Sequence, residues 1–276
     1  MNLNNTITLT NGKEIPVLGY GTWQTTDFEE CVNGVKAALA TGYRHIDTAQ
    51  MYGNEHLVGE GIRQSEVPRE EIFLTSKLDN TNHGFVKTKN AIDESLNCLG
   101  VKYLDLFLIH WPVVEGHEHN WREENIETWR AIENAYDAGK LKAIGLSNFK
   151  VEHLENLLPH CRIKPMVNQL RLHPGVMQEE TVALSREHGM AIQAWSPLSP
   201  ISRMQENERI NDMSDKYKKS IAQLLLRYSL QKDYIPLTKS VHEDRIKENF
   251  EIFNFTIDQS DMEYLDLWEW EGDVFL

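Results

Sequence analysis

The chain is poor in cysteine, and its three cysteines form no pattern. Cys31, Cys98 and Cys161 lie far apart without a Cys-x-x-Cys spacing, so neither a disulfide framework nor a thiolate zinc site is expected. No apolar run is long enough to span a bilayer. The opening residues Met1 to Thr6 carry no basic region and no long apolar core, which gives no sign of a signal peptide. A soluble cytoplasmic protein is the expectation. Positive charge is also scarce: 28 Lys and Arg against 42 Asp and Glu leave a net charge of −14. That excess repels phosphate backbones and anionic lipid, so neither nucleic acid nor a membrane surface is an expected partner. Repeats, low-complexity tracts and linkers are missing too, and the 276 residues are expected to form one domain, 1–276. The Gly-x-Gly-x-x-Gly fingerprint of a doubly wound sheet fails, because Gly19-Tyr20-Gly21 is followed by Thr22-Trp23-Gln24.

What is present is alternation. Asn11-Gly12, between Ile7-Thr8-Leu9 and Ile15-Pro16-Val17, signals a β-hairpin. Eight short β-rich runs then alternate with helical runs. The strands are expected at Leu18–Thr22, Tyr43–Asp47, Ile72–Lys77, Leu104–His110, Ala143–Ser147, Met166–Gln169, Ala191–Trp195 and Tyr234–Leu237. Helices follow each; Ile92, Leu96 and Leu99, for example, recur at i, i+4, i+7. Later helices are expected over Val176–His188 and, as one piece, Ser214–Leu230. Eight pairs in a chain of this length predict a (β/α)8 TIM barrel preceded by a hairpin. The tail from Leu267 to Leu276, rich in Trp and acid, is expected to be a surface loop or lid.

Barrel active sites lie at the C-terminal ends of the strands. Three successive strands end on ionisable groups: Asp47, with Tyr52 in the turn beyond it, then Lys77, then His110. A free tyrosine is a weak proton donor at neutral pH. A lysine ammonium about 4 Å away, at an effective dielectric near 20, offers roughly 4 kcal/mol to the phenolate, a lowering of the phenol pKa by up to about 3 units, less whatever desolvation takes back. Asp47 keeps Lys77 charged, and His110 orients a substrate oxygen. Such a pocket polarises and protonates a carbonyl but holds no nucleophile–base pair, so a hydride must come from elsewhere. The bland reading of each residue alone is an ordinary ion pair or a packed ring. His117-Glu118-His119 reads as a solvated loop and not as a metal site, since no third ligand is in view; no metal is expected.

The stretch Asp47-Thr48-Ala49-x-x-Tyr52-Gly53-Asn54-Glu55, with Gly59, resembles the signature of the aldo-keto reductases, as does Leu104-Asp105-Leu106-Phe107-Leu108-Ile109-His110-Trp111-Pro112. The likeness extends from the hairpin to Asn249. It implies that Asp47, Tyr52, Lys77 and His110 form the catalytic tetrad of an NADP-dependent reductase of aldehydes or ketones, with Tyr52 as general acid. It also implies an NADP(H) site. Ser147, Asn148 and Gln169 match the positions that hold the carboxamide. Trp195 stands where a tyrosine usually stacks on the nicotinamide, and an indole stacks as well. Ser196-Pro197-Leu198 matches the pyrophosphate loop; Lys239, Ser240, Val241, Arg245 and Asn249 match the adenosine segment. Lys239 and Arg245 there favour a 2′-phosphate, and so NADP(H) over NAD(H).

For the substrate, a small-molecule carbonyl, Trp23 and Trp111 match aromatic walls. Asp79 occupies a position where tryptophan is common, which leads to the expectation of a wider, more polar pocket suited to small polar or sugar-like aldehydes. Arg171 stands where an acid is frequent. A short loop after Trp111 and a short tail resemble bacterial glyoxal and diketogluconate reductases. Two other readings remain: a cofactor-binding regulatory protein without turnover, and a barrel lyase using Lys77 as a Schiff-base nucleophile. Asp47 argues against the second, since it raises the lysine pKa. An acidic surface without an apolar stripe points to a monomer.

Overall fold

The structure, a computed structural model, describes residues 6–116 and 118–269. Strands β1 (Thr6–Thr8) and β2 (Glu14–Pro16) form an antiparallel hairpin in which Ile7 pairs with Ile15. Gly12 turns it with φ 82°, a left-handed conformation that glycine adopts without a Cβ clash. Asn11 Nδ2 donates to the carbonyl of Lys142 at 2.8 Å, two residues before a barrel strand begins. The hairpin is therefore fastened to the N-terminal end of the barrel.

Eight parallel strands close that barrel in chain order: β3 (Gly19–Gly21), β4 (His45–Asp47), β5 (Phe73–Leu78), β6 (Leu106–Ile109), β7 (Ile144–Ser147), β8 (Val167–Arg171), β9 (Ala191–Trp195) and β10 (Tyr234–Thr238), with β10 paired back to β3. Parallel strands packed on both faces read as unbroken apolar runs. Leu106 to Ile109 is such a run, and every residue in it is 0% exposed. The expected TIM barrel with its hairpin is what forms.

Helices cover the outside. In α1 (Phe28–Thr41), Asp27 caps the start by accepting from Glu30 N, and Val32, Val35 and Leu39 lie on the buried side. Then come α2 (Glu55–Gln64), α3 (Phe85–Leu99), α4 (Trp121–Asp137), α5 (Val151–Leu157) and α6 (Glu179–Glu187). Trp129 of α4 is buried with its indole N–H on the carbonyl of Ile163 at 3.0 Å, so the polar atom of a large core side chain is satisfied.

Two helical expectations need correction. The single helix expected over Ser214–Leu230 is two, α8 (Glu208–Tyr217) and α9 (Ile221–Gln231), preceded by the short α7 (Ile201–Met204). Lys218 takes φ 54° and ends α8. Ser220 and Gln223 then bond reciprocally through backbone and side chain to start α9, a capping box that outweighs continuous apolar periodicity. Val176 bridges to His173 and does not begin a helix, so α6 starts at Glu179. Two more helices, α10 (Glu243–Phe250) and α11 (Gln259–Asp266), complete the described chain. Of the expected tail loop or lid, residues 270–276 lie outside the described residues.

Candidate active site

The strand tips converge as strand geometry requires. Asp47 is the last residue of β4 and Lys77 the fifth of β5, and both side chains are buried, at 4% and 0% exposure. Lys77 Nζ donates to Asp47 Oδ1 at 2.5 Å, to the carbonyl of Thr48 at 2.9 Å and to Tyr52 Oη at 3.4 Å. Tyr52 arrives on a one-turn 3₁₀ helix, Gln50–Tyr52, closed by Gly53 at φ 66°. Its ring meets the His110 imidazole edge to face, 5.7 Å between centroids. The four residues of the expected tetrad thus come together.

Their electrostatics differ from the expectation in one respect. Burial holds the Tyr52 phenol above its ordinary pKa; the Lys77 ammonium opposes this, and Asp47 reinforces it. Burial is the larger effect, so the expected lowering is corrected. The phenol carries its proton at neutral pH, which is the state a general acid must start from. Burial works against the charge on Lys77, yet Asp47 and Tyr52 together raise its pKa. A lysine held as ammonium is no Schiff-base nucleophile. His110 is pushed down to about 3 by burial and by Lys77, so it stands as a neutral imidazole. Its Nδ1 finds no hydrogen-bond partner among the described residues.

Tyr52, Asp47 and His110 open into a cleft of about 440 Å³. Ser147 and Asn148 at the end of β7 and Gln169 in the middle of β8 line it, as do Trp195, the last residue of β9, and Ser196 and Leu198 beyond it. Trp23, Trp111 and Lys239 also line it. Strain marks the place. Gln24, Asn148 and Ser196 all line the cleft and take positive φ, at 57°, 63° and 52°, a cost that accumulates at functional sites.

The side-chain amides are committed in a definite sense. Gln169 Nε2 donates both hydrogens inward, to Asp47 Oδ2 at 3.0 Å and Gln193 Oε1 at 2.8 Å. Asn148 Nδ2 donates to the His110 carbonyl at 3.0 Å and to Ser147 Oγ at 3.1 Å. Asn148 Oδ1 accepts from Trp195 Nε1 at 2.9 Å. The indole therefore does something a tyrosine ring at this place has no N–H to do. The Arg171 guanidinium lies 5.7 Å over the Trp195 ring, a cation–π contact that steadies it.

Six expected residues do not line the cleft: Lys77 is buried behind Asp47 and Tyr52, and the other five lie away from it. Ser240, Val241, Arg245 and Asn249 continue from Lys239 into α10 without reaching it. Asp79 is the substantive correction. Its carboxylate accepts from Thr81 N at 2.9 Å and Thr81 Oγ1 at 2.7 Å, capping the short turn Asn80–Asn82. Turned to that work, it adds no charge to the cleft, which Trp23, Met51 and Trp111 line among others. Gln193 and Met51 were not anticipated. Met51 had a signal, as the residue beside Tyr52; Gln193 had none beyond being polar in a buried strand. Among the described residues, no group of three or more His, Cys, Asp or Glu is placed to hold a metal; His117 lies outside them.

Comparison with known proteins agrees with this geometry. A family profile described as Aldo/keto reductase family matches residues 17–268. A glyoxal reductase of Bacillus subtilis is 44% identical over 264 residues, 96% of this chain and 92% of that one. A crystal structure of an aldo/keto reductase from Brucella melitensis superimposes with a TM-score of 0.88 at 41% identity, covering 95% of this chain and 98% of that one. Another, an aldo-keto reductase of Bombyx mori in complex with NADP, gives a TM-score of 0.88 at 33% identity, covering 95% and 92%.

Proposed function

The chain belongs to the aldo/keto reductase family, and from that premise we propose that it reduces an aldehyde or ketone to the alcohol with NADPH, chemistry of the alcohol dehydrogenase (NADP) type. One observation carries the reading: a buried ammonium sits between a carboxylate at 2.5 Å and a phenol at 3.4 Å, behind a cleft that these two line together with a neutral imidazole.

The donor set fits the cofactor. Gln169 has spent both amide hydrogens, so it has only its oxygen to offer a ligand. Asn148 likewise has only the remaining capacity of Oδ1. Ser147 Oγ accepts from Asn148 and keeps its own proton to donate. One hydroxyl donor with two amide oxygens complements a primary carboxamide, which has one acceptor oxygen and one NH₂. Trp195 supplies a ring face for the nicotinamide, and Ser196 and Leu198 would hold the pyrophosphate side. Lys239 and Arg245 are exposed and make no ion pair among the described residues, which leaves two cations for a 2′-phosphate beside Ser240, Val241 and Asn249.

Bound NADPH supplies the hydride. This chain's residues handle the oxygen: His110 donates a hydrogen bond that orients the carbonyl, and Tyr52 gives up its phenolic proton as charge builds on it. Lys77 stabilises the phenolate left behind, and Asp47, held by Gln169, keeps Lys77 charged and in place. Trp23, Met51, Trp111 and Leu198 make the cleft largely apolar, which favours carbonyls with an apolar or aromatic flank over small polar ones. We take the chain to act as a monomeric single domain, 1–276, in the cytoplasm, with no nucleic-acid or membrane partner. The net charge of −14 supports this; no helix among the described residues is long and apolar enough to cross a membrane.

The test is NADPH oxidation with methylglyoxal, glyceraldehyde and a nitrobenzaldehyde, comparing wild type with Tyr52→Phe. Wild-type turnover with a loss of at least about 100-fold in the variant is expected. Full activity in the variant removes Tyr52 as the acid; tight NADPH binding without consumption by either protein removes the enzyme.

A further inference from the structure

Gln50 lies in the same 3₁₀ turn as Tyr52, but its amide belongs to the other side of that turn, away from the cleft. Its Nε2 donates to the carbonyl of Ala91 at 2.7 Å and to Ser95 Oγ at 2.8 Å, both in α3. Its Oε1 accepts from Asp79 N at 2.8 Å and from Asn82 Nδ2 at 3.4 Å. Two donors and two acceptor sites are all that a glutamine amide has, so the side chain is fully committed. Asp79 is two residues beyond Lys77. One amide therefore joins the turn that carries the phenol to the chain segment that follows the ammonium, and anchors both to a helix.

The rest of the turn has little else to hold it. Its internal bonds are Tyr52 N to Ala49 O and Gly53 N to Gln50 O, and Met51 is exposed. Beyond it, buried Asn54 fixes the far end by donating to the carbonyls of Thr22 and Thr25. Tyr52 itself makes one side-chain hydrogen bond, the 3.4 Å contact with Lys77, the longest of the three that the ammonium makes, beside its edge-to-face packing on His110. Gln50 is the tie on the near side. A general acid is sensitive to such placement, since a misplacement of about 1 Å costs up to about 100-fold in rate.

We propose that Gln50 is a positioning residue for the proton donor: by fastening the Tyr52 turn to α3 and to the segment after Lys77, it sets the separation of phenol and ammonium. The proposal rests on the reductase reading given above, and it makes Gln50 act through Tyr52 without touching substrate or cofactor. It also gives Asp79 a part: its backbone N–H, presented by the capped turn, is one of the four points that Gln50 grips.

The experiment pairs Gln50→Met, which keeps length and packing but no hydrogen bond, with Ser95→Ala, which removes one of the four bonds, together with the Ser95 bond to Glu55, and leaves Gln50 in place. Thermal unfolding confirms folded protein. The Tyr52 resonance in ring-¹³C-tyrosine spectra, assigned with Tyr52→Phe, is expected to move in Gln50→Met and less in Ser95→Ala. kcat/KM for the carbonyl is expected to fall about tenfold in Gln50→Met. Its solvent deuterium isotope effect rises, while the directly measured NADPH dissociation constant stays within about twofold. An unmoved Tyr52 resonance overturns the proposal, and so does unchanged kcat/KM or a loss carried by NADPH affinity alone. Absence of turnover by wild type instead sinks the reductase reading, while the resonance still decides what Gln50 holds.

Discussion

Removing one partner of the Asp47–Lys77 pair tests whether the site is a single electrostatic unit. Lys77 is fully buried, and its ammonium has three oxygen neighbours, only one of them charged. Asp47→Leu leaves that ammonium with a peptide carbonyl and a phenol, while burial continues to disfavour its charge. The loss has a ceiling, because the lysine can shed its proton. Doing so at pH 7 costs an ordinary lysine about 4.6 kcal/mol, close to the roughly 3–5 kcal/mol found when one member of a buried pair is removed. At about 2–3 °C per kcal/mol for a chain of this size, the melting temperature falls by roughly 6–15 °C. Lys77→Met is milder, because Asp47 keeps the hydrogen bond from Gln169 at 3.0 Å. The double variant, with no stranded charge, melts near the milder single one although it is inactive. Differential scanning calorimetry of the four proteins completes the cycle. Additive losses, or Asp47→Leu melting within 2 °C of wild type, would refute the coupled-unit reasoning.

Acid sensitivity follows from buried neutral histidines. Burial pushes His110 down to about 3, and His45, His153 and His173 to about 4. Below pH 6.5 the unfolded chain gains protons that the folded chain refuses, so their stabilising contribution is whole above about 6.5 and is lost progressively as pH falls towards 4; a melting temperature flat from pH 7 to 5 contradicts this. Lys239→Ala and Arg245→Ala each weaken NADPH binding about tenfold and leave NADH unchanged, as read by fluorescence titration; equal losses for both cofactors would remove the 2′-phosphate assignment. Asp79→Trp leaves the preference between polar and aromatic aldehydes unchanged in steady-state assays, because that side chain faces Thr81; a switch in preference would restore it to the pocket wall.

What the sequence revealed, and what it hid, depended on range. Each barrel strand is a short apolar run, and His110, Asp47 and Lys77 lie at or next to strand ends, where a barrel exposes its chemistry. The break between α8 and α9 was written in Ser220 and Gln223, a local signal that apolar periodicity masked. The role of Asp79 was also local: Asp-Asn-Thr is a turn sequence whose aspartate bonds the backbone two residues on, but position in a motif says nothing of where the side chain points. Gln193 and Gln50 lay beyond reach, because their partners are 24 to 45 residues away. The level of the phenol's pKa depended on burial, which no spacing reports.

The bond from Gln169 to Asp47 spans 122 residues, and the tetrad it steadies comes from three strands. A half barrel of β3 to β6 would therefore carry all four residues of the proposed tetrad but not the amide that holds Asp47, however well its own strands and helices are formed. Contacts of such sequence separation are slow to form, because loop closure must precede any reward. In refolding from denaturant, helical signal is expected to return before turnover of the proposed reaction does, because the bond from Gln169 to Asp47 must first form across the barrel.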